Sequence, residues 1–244
     1  MFTTFNLRVT LWAMLAVALL LNYVTWLRDY PPAAPPALVQ GAPAASGAAN
    51  GAGSGLGSAV PKLKRAVFLD RDGVINRALE RDGKPYPPMS LAEFEILPGV
   101  SEACAKLKQA GYLLVVATNQ PDVGRGTLAQ SVVDSIHAHM SNVLPIDRVE
   151  VCFHPGKGAS DCDCRKPKPG MLLRASRELG IDLAQSWMVG DRWRDVDCGH
   201  AAGCRTVFID YGYSETLRQI PDFHVKNLLQ AAQVILDAGE RSGV

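Results

Sequence analysis

Two aspartates, spaced by one residue, follow an apolar run near position 70, and their carboxylates can do chemistry together. The segment reads AVFLDRDG and places Asp70 and Asp72 just before Gly73. Alternate residues of an extended chain point to the same side, so both side chains are predicted to project from the carboxyl end of a strand. Adjacent carboxylates repel each other unless a cation or a shared proton compensates. Mg²⁺ prefers such hard oxygen ligands, although a solvated polar turn is the alternative for this motif alone.

Two more polar segments follow apolar runs and extend this chemistry. Thr118-Asn119-Gln120 ends one run, and Gly190-Asp191, with Asp195 four residues later, ends another. The carboxyl ends of parallel strands meet at one edge of a sheet, where ligands bind. Asp191 is therefore predicted to add a metal ligand, while Thr118 and Lys166 hold phosphate oxygens.

This combination of residue types predicts phosphoryl transfer. That reaction depends mainly on positioning and on stabilising charge around the transferred group. One carboxylate can attack phosphorus and form an aspartyl-phosphate. The second can protonate the leaving oxygen and then activate water.

A second constellation combines cysteine with histidine. Cys152 and His154 form one pair, and Cys162 and Cys164 form another after a short polar, Gly-rich segment. Four such ligands suit a closed, tetrahedral, structural Zn²⁺ site that would staple the loop. Free thiols on a loop are the alternative. The clustering also indicates a reducing compartment rather than a disulfide framework.

The elements that must position these residues alternate between strands and helices. Continuous apolar runs predict strands at 66–69, 112–117, 149–153, 186–189 and 206–209, and helical patterns lie at 98–110, 128–140, 170–179, 194–202 and 227–238. Fully apolar strands that alternate with helices predict an α/β fold with a doubly wound parallel sheet covered on both faces. The polar stretch at 77–91 is predicted to be a loop that borders the substrate.

The ordered motifs DRDGVIN, TNQ, CRKPKPGM and VGDRWRD resemble those of the haloacid dehalogenase superfamily of phosphatases. Within it, the chain is similar to the small group, without a large cap, that includes D-glycero-D-manno-heptose 1,7-bisphosphate 7-phosphatases and histidinol-phosphate phosphatases. The resemblance covers about residues 64 to 215. It implies Asp70 as nucleophile, Asp72 as general acid/base, and Mg²⁺ on Asp70, the backbone carbonyl of Asp72, and Asp191.

The resemblance also implies further roles. Thr118 and Lys166 would steady the phosphoryl group, Asp195 would support the metal from outside its ligand shell, and the Cys/His cluster would be a structural zinc loop. The predicted substrate-binding residues are Asn119, Gln120, Arg125, Arg165 and Arg192. Arg192 replaces the lysine common in the family, and a structural ion pair is the alternative for Arg125. His137 and His139 are predicted to be surface or interhelix residues.

The N-terminal part of the chain differs from the rest in composition. Residues 9–27 are uncharged and mostly apolar, which predicts a transmembrane anchor within 1–29, with a signal peptide as the alternative. Residues 30–60 are rich in Pro, Ala, Gly and Ser and predict a disordered linker before a phosphatase domain at 61–244. The predicted location is cytoplasmic, with a possible tether to the inner membrane.

Composition and motifs together define the expected partners. The net charge of +1 gives no support for nucleic-acid binding. The expected enzyme is a Mg²⁺-dependent phosphomonoesterase with a monomeric catalytic domain. Its expected substrate is a small phosphorylated metabolite, which the resemblance narrows to a heptose bisphosphate. Histidinol phosphate, another small sugar phosphate, and a membrane-tethered binding module without turnover are the alternatives.

Overall fold

The computed structural model describes residues 63–81, 84–156 and 162–241, and its framework is a parallel sheet. The strands are β1 (Ala66–Leu69), β2 (Leu79–Arg81), β3 (Lys84–Tyr86), β4 (Leu113–Asn119), β5 (Arg148–Cys152), β6 (Trp187–Gly190), β7 (Arg205–Ile209) and β8 (Phe223–Val225). Six of them form the sheet in the order β5-β4-β1-β6-β7-β8, with all neighbours parallel. This order reverses direction at β1, which is the position where doubly wound sheets bind ligands.

Helices cover both faces of the sheet. They are α1 (Val100–Gln109), α2 (Pro121–Gly124), α3 (Gln130–Val143), α4 (Gly170–Leu179), α5 (Trp193–Ala202) and α6 (Leu228–Arg241), with short 3-10 turns at Leu91–Glu93 and Leu183–Gln185. The predicted α/β fold is thus confirmed, and each predicted helix and strand is present with its ends within three residues of the predicted positions.

The side chains of β1 show how the sheet is buried. Val67 and Leu69 pack into the core that contains α1 and α6, while Ala66 and Phe68 pack into the core of α4 and α5. All four are fully buried. Alternate residues of a strand face opposite sides, so a run of four apolar residues is required at this central position.

The structure adds two features to the sequence prediction. The stretch predicted as a loop at 77–91 contains β2 and β3, which pair antiparallel. The three-residue strand β8 extends the sheet beyond β7. Across the part of the chain that is described, none of the helices is both long and apolar enough to cross a membrane. The predicted anchor and linker at 1–60 lie outside the described residues.

Candidate active site

One cavity of about 170 Å³ opens at the carboxyl edge of the sheet, where β1, β4 and β6 end. Asp70 follows β1, Asn119 ends β4, and Asp191 follows β6. Both Asp70 and Asp72 line the cavity, as their spacing predicts. The lining residues are Asp70, Asp72, Pro87, Asn119, Pro121, Asp122, Arg165, Lys166, Arg192, Arg194 and Asp195.

Lys166 joins two carboxylates at the base of this cavity. Its Nζ lies 2.9 Å from Asp70 Oδ1 and 2.6 Å from Asp195 Oδ1, and the lysine side chain is only 2% exposed. Although burial by itself lowers the pKa of Lys166, Asp195 and Asp70 raise it above its ordinary value. The segment is fixed by Asn119, whose amide donates to Lys166 O and accepts from Lys166 N, each at 3.1 Å. Lys166 is therefore a fixed positive charge.

One ammonium does not balance the buried carboxylates of Asp70, Asp191 and Asp195, each of which offers an oxygen within 4.8 Å of the others. Burial is the main reason that the pKa of Asp70 rises to about 7, while Lys166 opposes the rise and Asp195 adds to it. Burial, followed by the charges of Asp70 and Asp195, also raises the pKa of Asp191 well above its usual range. Such carboxylates need another cation to stay ionised.

The surroundings of Asp191 fit a divalent cation. Both of its carboxylate oxygens are buried and have no hydrogen-bond partner among the residues that the structure describes. Asp195, by contrast, forms an ion pair with Lys166 through Oδ1 and accepts a hydrogen bond from Arg192 N through Oδ2 at 3.0 Å. Gly73 (φ +88°) closes over the group, because a Cβ at that position would lie 2.1 Å from Asp191 Oδ2. The residues present therefore suit Mg²⁺, with Asp70 and Asp191 as the available carboxylate ligands.

The carboxylate of Asp72 is held by donors from three residues. Arg71 donates to it through Nε and Nη2 at 3.1, 2.9 and 3.0 Å. Asn76 Nδ2 donates to Oδ1 at 3.1 Å, and Gln120 Nε2 donates to Oδ2 at 2.8 Å. Gln120 Nε2 also donates to Thr118 Oγ1 at 2.9 Å. These contacts fix the orientation of Asp72 at the cavity wall.

The structure places Gln120 differently from the sequence prediction. Its side chain is fully buried and does not line the cavity, so its amide reaches Asp72 and Thr118 rather than a substrate. Asn119 lines the cavity, although both ends of its amide bond the backbone of Lys166. Sequence reasoning missed Arg71, which is fully buried. The sequence did contain a signal. In an extended segment Arg71 points to the opposite side from Asp70 and Asp72, and a charged side chain that is buried there requires partners.

An outer pocket adjoins the cavity and is rich in arginine. It shares Arg165, Arg192 and Arg194 with the cavity and adds Arg125. These four arginines face two carboxylates of the same pocket, those of Asp122 and Glu215. Burial, and further the charges of Arg192 and Arg165, lower the pKa of Arg194 although Glu215 opposes this. The outer pocket therefore presents positive charge to whatever enters the cavity.

Carbonyls and carboxylates orient three of these arginines. Arg192 donates through Nε to Glu215 Oε2 at 2.6 Å and through Nη2 to Oε1. Arg165 Nη1 donates to His154 O at 3.1 Å, and Arg125 Nε donates to Pro155 O at 3.0 Å. Arg125 also pairs with Asp122, which agrees with the ion-pair alternative without removing the residue from the pocket.

The Cys/His cluster assembles beside these arginines. Cys152 Sγ lies 3.4 Å from His154 Nδ1 and 3.8 Å from Cys162 Sγ, and Cys164 Sγ lies 3.2 Å from His154 Nδ1. Sulfurs bound tetrahedrally at ~2.3 Å from Zn²⁺ are about 3.8 Å apart. Burial, then the neighbouring Cys152 and Cys162, raises the pKa of Cys164 to about 12, so the Cys164 thiol needs a nearby cation to ionise.

Comparison with known proteins identifies the family. The HAD-hydrolase-like family matches residues 163–231. A D-glycero-beta-D-manno-heptose-1,7-bisphosphate 7-phosphatase from Pseudomonas aeruginosa is 38% identical over 149 residues, which is 60% of this chain and 81% of the relative. The chain belongs to the heptose bisphosphate phosphatase family of the haloacid dehalogenase superfamily. This phosphatase is also 41% identical to the enzyme of that name from Vibrio cholerae, over 59% of this chain and 79% of the relative.

Solved structures agree with this assignment. The phosphatase resembles the D,D-heptose 1,7-bisphosphate phosphatase of B. bronchiseptica, solved with magnesium and phosphate, at 31% identity and a TM-score of 0.60. The match covers 71% of this chain and 99% of that one. The Burkholderia thailandensis enzyme is 32% identical with a TM-score of 0.50, over 71% and 99% of the two chains. The phosphatase is thus a phosphoric monoester hydrolase.

Proposed function

We propose that this phosphatase removes the 7-phosphate of D-glycero-D-manno-heptose 1,7-bisphosphate through an aspartyl-phosphate on Asp70. The observation that carries the proposal is the group of Asp70, Lys166 and Asp191 at the base of one cavity, in a chain whose relatives bear that activity by name.

Asp70 is the proposed nucleophile. Its Oδ1 is tied to Lys166 at 2.9 Å and accepts from Arg71 N at 2.7 Å, which orients the carboxylate toward the cavity. Attack of a carboxylate oxygen on phosphorus would form the acyl phosphate and release the sugar oxygen. Lys166, which lines the cavity, would stabilise the negative oxygens of the phosphoryl group. The hydroxyl of Thr118 is buried next to Asn119 in the chain and does not line the cavity, and the same role is proposed for it.

Asp72 is the proposed general acid and base. Its carboxyl would give a proton to the departing sugar oxygen and then take one from the water that hydrolyses the aspartyl-phosphate. Gln120 supports this step in our proposal, because its amide reaches both Asp72 and Thr118. It thus positions the acid/base instead of binding substrate.

Mg²⁺ would be held by Asp70, Asp191 and the backbone carbonyl of Asp72, with Asp195 outside that set. Its contribution when bound is neutralisation of the charge that Lys166 leaves unbalanced.

We also propose structural Zn²⁺ on Cys152, His154, Cys162 and Cys164. That metal would fix the backbone carbonyls of His154 and Pro155, which accept from Arg165 and Arg125. Three unpaired cysteines in this cluster support a reducing location such as the cytoplasm.

The outer pocket favours a second phosphate on the substrate over the histidinol-phosphate alternative. Arg125, Arg165, Arg192 and Arg194 attract an anion and repel the ammonium group of histidinol phosphate.

Two measurements test the proposal. The first compares kcat/KM for the heptose bisphosphate, fructose 1,6-bisphosphate and histidinol phosphate with Mg²⁺ present, and the second measures phosphate release by Asp70→Asn. We expect the heptose bisphosphate to be best and Asp70→Asn to lose nearly all turnover, while Asp147→Asn, a surface control, keeps it. Preference for histidinol phosphate would overturn the substrate, and an active Asp70→Asn would overturn the mechanism.

A further inference from the structure

Behind Asp72 lies a buried arginine whose guanidinium contacts one partner on each of two sides. The guanidinium of Arg71 is completely buried and donates to the carboxylate of Asp72 through Nε and Nη2. Its remaining terminal nitrogen, Nη1, lies 3.0 Å from Nε2 of His137 on α3. His137 is only 8% exposed, so the contact is shielded from water. The chain of contacts thus runs from α3 through Arg71 to the wall of the cavity.

The chemistry of the two groups fixes their protonation. Arginine has only donors, so His137 Nε2 must accept the hydrogen bond and the imidazole is neutral with its proton on Nδ1. Burial, and then the charge of Arg71, lowers the pKa of His137 to about 4, although Asp72 opposes the shift. The imidazole is therefore a constant acceptor at neutral pH.

The contact with His137 also determines where Arg71 can lie. Asp72 is its acidic partner from the turn after β1, and His137 is its partner from α3. With acceptors on opposite sides, the guanidinium has one position that satisfies both ends. Without the imidazole, Nη1 would be a buried donor with no acceptor, which costs free energy and favours a shift of the arginine. Asp72 would move with it.

We propose that His137 is a positioning residue for phosphoryl transfer, which acts by holding Arg71 so that Asp72 faces the departing oxygen of the substrate. This inference rests on the proposed function, because the role of Asp72 as proton donor comes from it. His137 touches neither substrate nor metal in this account. Its effect must therefore appear in the proton-transfer step.

Leaving-group dependence separates this role from a general structural one. An alkyl alcohol needs a proton to leave, whereas p-nitrophenolate leaves without one. We expect His137→Leu to lower kcat/KM for the heptose bisphosphate by about tenfold and for p-nitrophenyl phosphate by less than about threefold. Equal losses with the two substrates would overturn the inference.

A double-mutant cycle with Asp72→Asn tests the pathway. Asp72→Asn alone should lower kcat/KM for the heptose bisphosphate by at least about 100-fold, with a much smaller loss for p-nitrophenyl phosphate. His137→Leu should then add nothing in that background, because its effect passes through Asp72. If the losses from the two substitutions add, the positioning role of His137 is refuted but the proposed function is not. Equal losses for Asp72→Asn with both substrates would instead overturn the proposed function, and the inference with it.

Two amide variants keep the test valid if His137→Leu does not fold. Gln at 137 can place an acceptor near the position of Nε2, whereas the shorter Asn cannot reach it. We expect His137→Gln to retain the activity of the parent chain and His137→Asn to show the leaving-group dependence. His139→Leu on the same helix is the matched control and should behave like the parent. Identical behaviour of the Gln and Asn variants would count against the proposal.

Discussion

Arg192 and Glu215 form a two-pronged ion pair at the mouth of the cavity, with Nε 2.6 Å from Oε2 and the second pair of atoms also in contact. The two side chains are 24% and 29% exposed. Glu215 comes from the segment between β7 and β8, so it reaches Arg192 from a different part of the chain. The pair fixes the position of the Arg192 guanidinium at this opening.

We predict that Glu215→Gln raises KM for the heptose bisphosphate by about fivefold and changes kcat less, because a charge-assisted contact that orients Arg192 is lost. The matched control is Glu95→Gln, which breaks a similar pair with Arg77 at 2.9 and 3.0 Å that lies on an exposed surface. Steady-state measurements of KM and kcat for the two variants test this prediction. A KM that is the same in both would rule out an orienting role for Glu215.

A second prediction concerns Gly73. A methyl group there would meet Asp191 Oδ2 at 2.1 Å, so Gly73→Ala should displace the carboxylate and weaken Mg²⁺ binding at least tenfold, or ~1.4 kcal/mol. Gly111→Ala is the control, because Gly111 has a similar φ of +82° but nothing within 4 Å of the added carbon. Both variants bear backbone strain of about 1 kcal/mol. Titration of Mg²⁺ against phosphatase activity and calorimetry should show the defect in Gly73→Ala alone.

The third prediction concerns pH. The pKa of Asp70 rises from its ordinary 3.8 to about 7 in the folded, metal-free protein, mainly through burial, and burial also raises the pKa of Asp191 well above its ordinary value. The folded state thus keeps protons that the unfolded chain releases above about pH 4. The free energy of unfolding contributed by Asp70 therefore falls as pH rises from about 4 to 7, and the raised pKa of Asp191 acts in the same direction.

Mg²⁺ should reverse this trend, because it binds the ionised carboxylates. We expect the rise in Tm on adding Mg²⁺ to be larger at pH 8 than at pH 5, as measured by thermal melts after chelation. Asp191→Asn removes one of the buried acids, so its melting temperature should depend less on pH and on Mg²⁺. Equal Mg²⁺ effects at the two pH values would contradict the assignment of these carboxylates as ligands.

The fourth prediction concerns zinc. Elemental analysis of the purified chain should find about one zinc per molecule, since four tetrahedral ligands make one closed site. Cys162→Ser should lower that content and raise KM, because the loop that holds Arg165 through His154 O would lose its metal. Cys204→Ser, a buried cysteine outside the cluster, is the control and should keep its zinc. Zinc-free protein with unchanged KM would show that the loop is ordered by other means.

The sequence predicts the sheet well because its central strands are continuous apolar runs. Val67 and Phe68 lie on opposite faces and are both buried, so neither position tolerates a polar residue. The strand β8 was harder to predict. Its three residues include His224, which is exposed, and such a short edge strand has no periodicity to detect.

The sequence predicts which residues form the site better than it predicts the contacts among them. Asp70, Lys166 and Asp191 follow from motifs, and they do lie together. The contact between Arg71 and His137 joins positions that are 66 residues apart, and no local pattern encodes it. The contact of the buried Gln120 amide with Asp72 likewise joins residues far apart in the chain, so the sequence does not reveal it.

The central place of β1 has a consequence for the newly made protein. This strand leaves the ribosome first among those of the sheet, yet its neighbours β4 and β6 end at residues 119 and 190. Asp70 is therefore without Asp191 and Asp195 during the translation of more than a hundred residues. A nascent chain that stops short of these residues has the proposed nucleophile but lacks the rest of the proposed catalytic centre, so we expect hydrolysis only when synthesis of the domain is nearly complete.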